Sequence, residues 1–573
     1  MFYLKKKKFG PVIISFLLLI AVLLFLQWQE EREIADSIEQ KIKAMGTDEF
    51  QLCLWNPSVR TDNGQDVEID WWFHEDAQTY YLFLPSGDNG KFRYIFNCFD
   101  TLQIDEQLIK AGDFFQLENG RHELVCDSGE SFSLKVMQSG NVATMHIRTD
   151  LDDLIFLHES KQNFDTGSYI LTDENGGMEA YGYLDSIRGR GNMTFDAADK
   201  KSYNIRMREK TAVLDLGIGK NWALLANPFD ESLSRNQMVT EMGNAMNMAY
   251  VPDMDYVDLY INGEYQGNYQ LSEKVEIGQE RLNIRDLEKE MKVLNPDLDF
   301  DLLAFTEGPV DEFTSLKWVD GLQVPQNSES GYLLELDMTY RYYEEQSGFI
   351  TSHLQPVVIK SPQCASYEQV YYIANKYQDM ENALCAADGC NEMTGLYYYD
   401  YLDLYSFAQK YLVDEFSKNL DAALTSFYMY IPETEDKFYA GPIWDYDRTF
   451  GVDFERSGVD LKDPETFYVS ENIYFEESDI NVFHLLCQQE EFSEIYKNLY
   501  WNEVRDIVVE IAEHSVDENA DRIEKSAMMD AVRNESFGEG LSVDECRELF
   551  YEINADIKAF MQKRIEFFDR EWK

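Results

Sequence analysis

Histidine is scarce in this chain: there are 7 in 573 residues, with no HExxH pair and no second histidine at helical spacing. A zinc hydrolase draws on such clusters for its metal, so this scarcity speaks against that class. No GxSxG elbow occurs either, which removes the nucleophile motif of the serine hydrolases that use one. Positive charge is short as well, 50 Lys and Arg against 106 Asp and Glu, for a formal net charge of −56. A surface of that sign repels phosphate backbones, which argues against generic nucleic-acid binding. A divalent cation or a basic protein partner is attracted instead, and most of the acidity serves solubility. The eight cysteines include no CxxC and no zinc spacing. Their even number permits pairing in an oxidising exterior, and Cys385 and Cys390 are near enough in sequence for a small loop disulfide. There is no internal repeat and no low-complexity segment.

What is present begins with four lysines at positions 5–8, followed by an apolar run over residues 9–28. About 20 such residues suffice to cross a bilayer as a helix, and the lysines would stay on the cytoplasmic side. The expectation is a membrane anchor in 1–28 with the bulk of the chain extracytoplasmic, and no small-x-small site follows that would mark a cleaved signal peptide. Residues 29–48 carry Ile34, Ile38 and Ile42 at i, i+4 spacing, which predicts a stalk helix. Residues 49–141 alternate in the manner of strands between Gly, Asp and Asn turns, predicting a β-rich module. Residues 142–573 mix strands, long loops and, towards the end, helices. Asp297, Asp299 and Asp301 alternate within an acidic insertion between Leu287 and Gly331. They lack the glycine and glutamate of a calcium loop and suit an exposed edge strand.

Four constellations between Ile187 and Gly451 carry chemistry. In "IRGRGNMTFDAADKKSYNIRM", Arg188 and Arg190 flank glycines, and Lys200 and Lys201 open an alternating strand. Backbone can approach phosphates at glycine, and a lysine entering a strand can meet them as a point charge. In "WALLANPFDESLSRN" an apolar strand ends at Asn227, and a helix starting near Ser232 carries Arg235, Asn236 and Glu241. "VDLYINGEYQGNYQLSEKV" reads as a hairpin turning at Asn262-Gly263, with its second strand ending at Glu273. Last, Asp421 follows a helix in a loop, and "KFYAGPIWDYDRTFG" delivers Asp445 and Asp447 at a strand end. A lone loop aspartate suits a base that orients a hydroxyl, and strand-end carboxylates before Phe-Gly suit Mg²⁺ on nucleotide phosphates. Lysine, hairpin, loop aspartate and metal aspartate follow one another in the order of a protein kinase.

These segments resemble the spore-coat protein H (CotH) kinase family. The shared motifs read here, in order, "RGRGNMTF", "KKSYNIRM", "WALLANPFDESLSRN", "NGEYQGNYQLSEKV", "GYLLELD", "NLD" and "WDYDRTFG". The resemblance runs from about residue 142 to the C-terminus. It implies an α+β, atypical two-lobed kinase-like fold that uses ATP and Mg²⁺ or Mn²⁺ to phosphorylate protein serine or threonine. By the same resemblance Lys201, or its neighbour Lys200, is the nucleotide-phosphate lysine, with Arg188 and Arg190 beside it. Asp421 is the catalytic-loop aspartate, Asp445 the metal aspartate, and Asp447 a second ligand or a turn-stabilising neighbour. Glu273 falls where a kinase hinge meets adenine, and Glu241 is the acidic candidate to pair with the lysine. Two positions depart from the pattern. Phe195 replaces a tryptophan, and Ser426 stands where a kinase has a metal-binding asparagine. The expected protein is thus a membrane-anchored kinase acting on a surface or coat protein that is Ser-rich or basic. The alternatives are a non-catalytic surface scaffold or adhesion module, and an AMP transferase using the same site.

Overall fold

The computed structural model describes residues 57–573 except 61–65, 75–76, 88–91, 95–100, 111–112, 127–128, 130, 453–459 and 472–477. The described residues fall into two compact units. The smaller is built from Asp70–Leu82 and Phe92–Lys135; most of its strands belong to a six-stranded sheet, and Phe92–Tyr94 and Phe114–Phe115 pair in a four-stranded one. Alternating burial of Tyr80, Leu82 and Leu84 along one of these strands shows why the sequence forms it.

The larger unit holds Val136–Lys573 together with Val59–Ile69 and Phe83–Lys91. It opens with seven strands: β1 (Ala143–Thr149), β2 (Asp165–Thr172), β3 (Met178–Arg190), β4 (Ser202–Ala212), β5 (Ile218–Leu225), β6 (Met254–Ile261) and β7 (Glu264–Glu273). They close into a barrel in the order β1-β2-β3-β4-β5-β7-β6, sealed by a parallel β1–β6 pairing. Closure leaves no free sheet edge. Inward residues such as Met145, Leu171, Leu184, Ile205, Trp222, Leu259 and Leu271 fill the interior. The β6–β7 turn is the predicted Asn262-Gly263, both at positive φ (53° and 89°), as a two-residue hairpin turn requires. Between β5 and β6 lies helix α1 (Arg235–Ala245).

A second, antiparallel sheet follows: β8 (Phe305–Val310), β9 (Phe313–Val319), β10 (Tyr332–Leu336), β11 (Gly348–Ile350), β12 (Pro356–Ser361), β13 (Phe427–Ile431) and β14 (Tyr439–Ala440). Its order is β8-β9-β11-β12-β10-β13-β14. Helices α2 (Tyr367–Cys385) and α3 (Leu404–Ser417) share its large apolar core. Helices α4 (Val516–Asn534) and α5 (Val543–Glu571) end the chain. In α5 the predicted face is buried at Ile557, Phe560, Ile565 and Phe568, and Trp572 just beyond it is buried too.

The α+β character is therefore observed, but two parts of the expected architecture need correction. Barrel and second sheet lie in one compact unit, not in two separate lobes. Within that unit polar contacts bind α4 to barrel strand β7: Asn268 and Ser526 bond at 2.8 Å, and Arg533 pairs with Glu264. No helix among the described residues is long and apolar enough to cross a membrane, and 9–28 lies outside them, as does the stalk 29–48. The anchor and the extracytoplasmic location resting on it are accordingly not retained. Two smaller corrections concern the insertion and the cysteines. Residues Phe300–Leu302 form a 3₁₀ turn capped by Asp299, whose side chain accepts from the Asp301 amide, and not an edge strand. Cys385 and Cys390 are both free.

Candidate active site

Helix α3 is buried along nearly its whole length and ends at Lys418, which takes the left-handed conformation (φ 51°). The chain then turns tightly through 419–426. The Asp421 amide donates to Asn419 Oδ1 at 3.1 Å, and the Asp421 carbonyl accepts from the Leu424 amide at 3.0 Å. A second loop leaves β14 and carries Trp444, Asp445, Tyr446 and Asp447. It is closed by the Thr449 hydroxyl, which donates to the Tyr446 carbonyl at 2.7 Å, and by the Phe450 amide, which donates to Ser417 O at 2.7 Å. The "RTFG" that follows the aspartates is thus what folds this loop back against the end of α3.

One buried carboxylate joins the two loops. Asp414 accepts from Lys410 Nζ (2.7 and 2.9 Å), from the Tyr446 hydroxyl (2.6 Å) and from Asn419 Nδ2 (3.1 Å). Burial pulls the Lys410 ammonium below its ordinary pKa, and the Asp414 charge opposes that pull. A second clamp comes from the barrel side. Asn236, on α1, accepts the Tyr446 amide at 2.7 Å, donates to Asn227 at 3.1 Å, and Asn227 donates to Gln270 of β7 at 2.7 Å. Tyr446 is held at both ends, and its neighbours Asp445 and Asp447 are placed by it.

Asp445 is exposed and sits at φ 69°, a region that non-glycine residues seldom adopt. Ser426 is also left-handed (φ 54°), and its hydroxyl donates to Asp445 Oδ2 at 3.2 Å. Strained backbone on both sides of one hydrogen bond is typical of a site held by its surroundings. Asp447 is buried. Burial raises its carboxyl well above the usual carboxylate range, and the charges of Asp445, Asp230 and Asp421 push the same way against Arg448. Asp447 therefore lies under the influence of three other aspartates, two of them from other segments of the chain. Asp230 itself is buried against Arg235 and sets the start of α1.

Among the described residues no three His, Cys, Asp or Glu side chains are grouped so as to hold a metal ion unaided. Mg²⁺ seldom asks for that, since one or two carboxylates plus water and substrate phosphates are its usual shell. Asp445 and Asp447 offer hard oxygen donors of that kind, with the Ser426 hydroxyl next to Asp445. The donor set fits Mg²⁺ or Mn²⁺.

The other predicted residues are placed as follows. Lys200 Nζ pairs with Asp530 of α4 at 2.7 Å and donates to Asn268 O at 2.5 Å, with both side chains buried. Lys201 Nζ donates to Phe195 O at 2.6 Å and lies over the Phe195 ring, so the aromatic that replaces tryptophan has a lysine on its face. Glu241 accepts from Asn519 at 3.0 Å and is joined to neither lysine. Glu273 ends β7 in an ion pair with Arg281, accepts from the Tyr250 hydroxyl at 3.1 Å, and is pushed by burial up to about 7. Arg188 is exposed on β3, whereas Arg190 at the end of that strand lies 4.9 Å from the centre of the Trp444 ring. The structure thus brings Asp421, Ser426, Asp445, Asp447 and Arg190 together and gives Lys200, Lys201 and Glu273 other partners.

Sequence reasoning assigned no role to several residues that build this region. Asp414 and Asn236 clamp the loops. Asp337, at the end of "GYLLELD", accepts the Thr425 hydroxyl at 2.7 Å, one residue before Ser426. Glu335 pairs with Lys360 at 3.3 Å, and burial raises it to about 7. The available signal was an acidic pair at the end of an otherwise apolar strand, Glu335 in β10 and Asp337 just past it. No curated protein matches this chain. The profile of the CotH kinase proteins matches residues 187–568, about two thirds of the sequence and all of the segments just described. The chain belongs to the CotH kinase family.

Proposed function

We propose that this protein is an ATP-dependent protein serine/threonine kinase of the atypical CotH type. The observation that carries the reading is the convergence of Asp421, Asp445 and Asp447 on two loops locked together by Asp414 and Asn236. Phosphoryl transfer needs positioning and charge neutralisation more than covalent chemistry, and fixed loops supply positioning. In this reading Asp421 orients the acceptor hydroxyl and receives its proton. A new bond then joins that oxygen to the γ-phosphorus, while the bond to the β–γ bridging oxygen breaks and leaves with ADP. Asp445 and Asp447 would hold a divalent ion, whose positive charge would offset that of the phosphates. Ser426 orients Asp445 through its hydrogen bond and stands in for the amide ligand of other kinases. The acceptor is a protein hydroxyl, and the strongly acidic surface favours a basic partner or one bridged by cations.

The test is intact-mass analysis of the full chain, alone and with a Ser-rich acceptor, after incubation with ATP and Mg²⁺ or Mn²⁺. Phosphate on wild type and its absence from Asp445→Asn is the expected result. An AMP adduct would redirect the reading to nucleotidyl transfer through the same groups. Failure of both proteins to bind nucleotide or modify anything would leave a scaffold and overturn the kinase reading.

A further inference from the structure

The kinase reading needs a cation for the nucleotide phosphates, and the two lysines expected to supply it are committed elsewhere. Lys200 is buried against Asp530, and a second bond ties it to the Asn268 carbonyl. To reach a phosphate it would leave Asp530 buried without its partner, and breaking a buried pair in that way is strongly destabilising. Lys201 anchors the short turn at Phe195 by a 2.6 Å bond to a backbone carbonyl. Both are building the barrel rim.

Arg190 is in the opposite situation. It is the last residue of β3, paired across the strand with Ser202. Gly191 follows at φ 96°, where a Cβ would meet the Thr194 hydroxyl at 1.8 Å, so the chain turns sharply away and leaves the guanidinium at the strand end. The guanidinium stacks on Trp444, the residue before Asp445. Its Nη1 is buried with no hydrogen-bond partner. A guanidinium carries five donors, and leaving one buried and unused is costly unless something accepts it. Burial disfavours its charge, and the nearby charge of Asp445 favours it.

Lys274 is the first residue past β7, and its neighbour Val275 packs against the same cluster as Trp444. Arg190, Glu276, Arg188 and Lys360 all act on its charge. Lys360 is already neutralised by Glu335 and Glu345, which leaves Arg188, Arg190 and Lys274 as a group of like charge, with Asp445 acting on Arg190. Burial and these cations pull the Lys274 ammonium down to about 8. Cations grouped in this way attract an anion. The floor below is apolar: Trp444, Tyr428, Leu333, Ala223 and Leu282 pack into one cluster with Val275.

Resting on the kinase reading, we propose that Arg190 and Lys274, and not Lys200 or Lys201, bind the phosphates of the nucleotide, with Trp444 fixing the plane of the Arg190 guanidinium. Arginine suits that position because its planar fork can take two phosphate oxygens at once while its face stays on the indole. The strand-end glycine that follows brings backbone close to the same place.

The experiment is an equilibrium titration of the full chain with Mg²⁺ and a fluorescent ATP analogue, competed with ADP, alongside thermal melting of every variant. Arg190→Ala and Lys274→Met are expected to weaken ADP binding about tenfold or more, each with a melting temperature close to wild type. Arg190→Lys keeps the charge without the fork and falls between Arg190→Ala and wild type. Lys201→Met is expected to bind within about twofold of wild type, and Lys200→Met to lose melting temperature while its folded fraction still binds. A folded Lys201→Met or Lys200→Met that loses nucleotide, with Arg190→Ala and Lys274→Met binding normally, overturns the assignment and leaves the kinase reading intact. Wild type that binds no nucleotide with either metal overturns the kinase reading and the assignment with it.

Discussion

The barrel and the loop junction are held together by opposite means. Inside the barrel the contacts are apolar: Leu171, Leu184, Trp222, Leu259 and Leu271 are all fully buried. At the junction the buried groups are polar or charged: Lys410, Asp414, Asn236, Asn419 and Asp447. Apolar packing gives stability with little demand on geometry, because it scales with area removed from water. A buried polar network is favourable only when every member is satisfied, so it fixes positions far more strictly. The comparison shows where this molecule spends stability on precision. The candidate catalytic loops sit on the second kind of contact, next to a scaffold made of the first.

The difference can be broken from either side, and the largest effect is expected at Asp414. Asp414→Ala leaves Lys410 charged in a dry site and frees both loops, for a loss of about 3–5 kcal/mol. Denaturant unfolding should show that loss, and phosphoryl transfer should vanish in the fraction that remains folded. Leu184→Ala in the barrel should cost about 2–5 kcal/mol through the cavity it leaves. The contrast is that nucleotide affinity of the folded protein should then stay near that of wild type. If Leu184→Ala lowers affinity as much as Asp414→Ala does, the two regions are not separate in function.

Asn236→Ala is a finer probe. It removes the acceptor of the Tyr446 amide and the donor to Asn227, for about 1–3 kcal/mol of stability. Its effect on turnover should exceed its effect on ADP binding, since it shifts Asp445 and Asp447 while leaving Arg190 in place. The smallest effect is a pH slope at the edge of the junction. Burial raises Glu335 from the ordinary glutamate value to about 7. The folded state therefore holds that proton more tightly than the unfolded one, so its contribution is present below about pH 4.5 and is lost as pH rises to about 7. Glu335→Gln should flatten this part of the stability profile, with little change at acid pH. Asp447, also raised by burial, slopes in the same direction; a divalent cation should offset that slope in wild type, and Asp447→Asn should lack the slope with or without the cation.

Much of the fold could be read before any coordinates. The Asn262-Gly263 turn, the loop holding Asp421, the apolar face of α5 and the strand leading to Asp445 all follow from local patterns whose causes lie within a few residues. The exceptions have physical reasons. Closure of the barrel rests on a parallel pairing of β1 with β6 across more than a hundred residues, and no local period announces it. The alternating aspartates at 297–301 looked like a strand, but Asp299 bonds the Asp301 amide and caps a turn, a competition that short acidic side chains often win. The membrane anchor was inferred from a run outside the described residues, and no described helix supports it. The site was harder. Lys200 and Lys201 have the right type and order for phosphate binding, yet their use is set by Asp530 and the Phe195 carbonyl, one of them 330 positions away in sequence.

By itself the sequence determined the family, the order of the motifs and the candidacy of Asp421, Asp445 and Asp447. Those depend on residue type and spacing, which a one-dimensional string carries in full. Only the tertiary structure decided which charges are already neutralised and which are left over. A lysine and an arginine look equally available on paper. Burial beside Asp530 removes one from the chemistry, and an unused donor over Trp444 leaves the other in it.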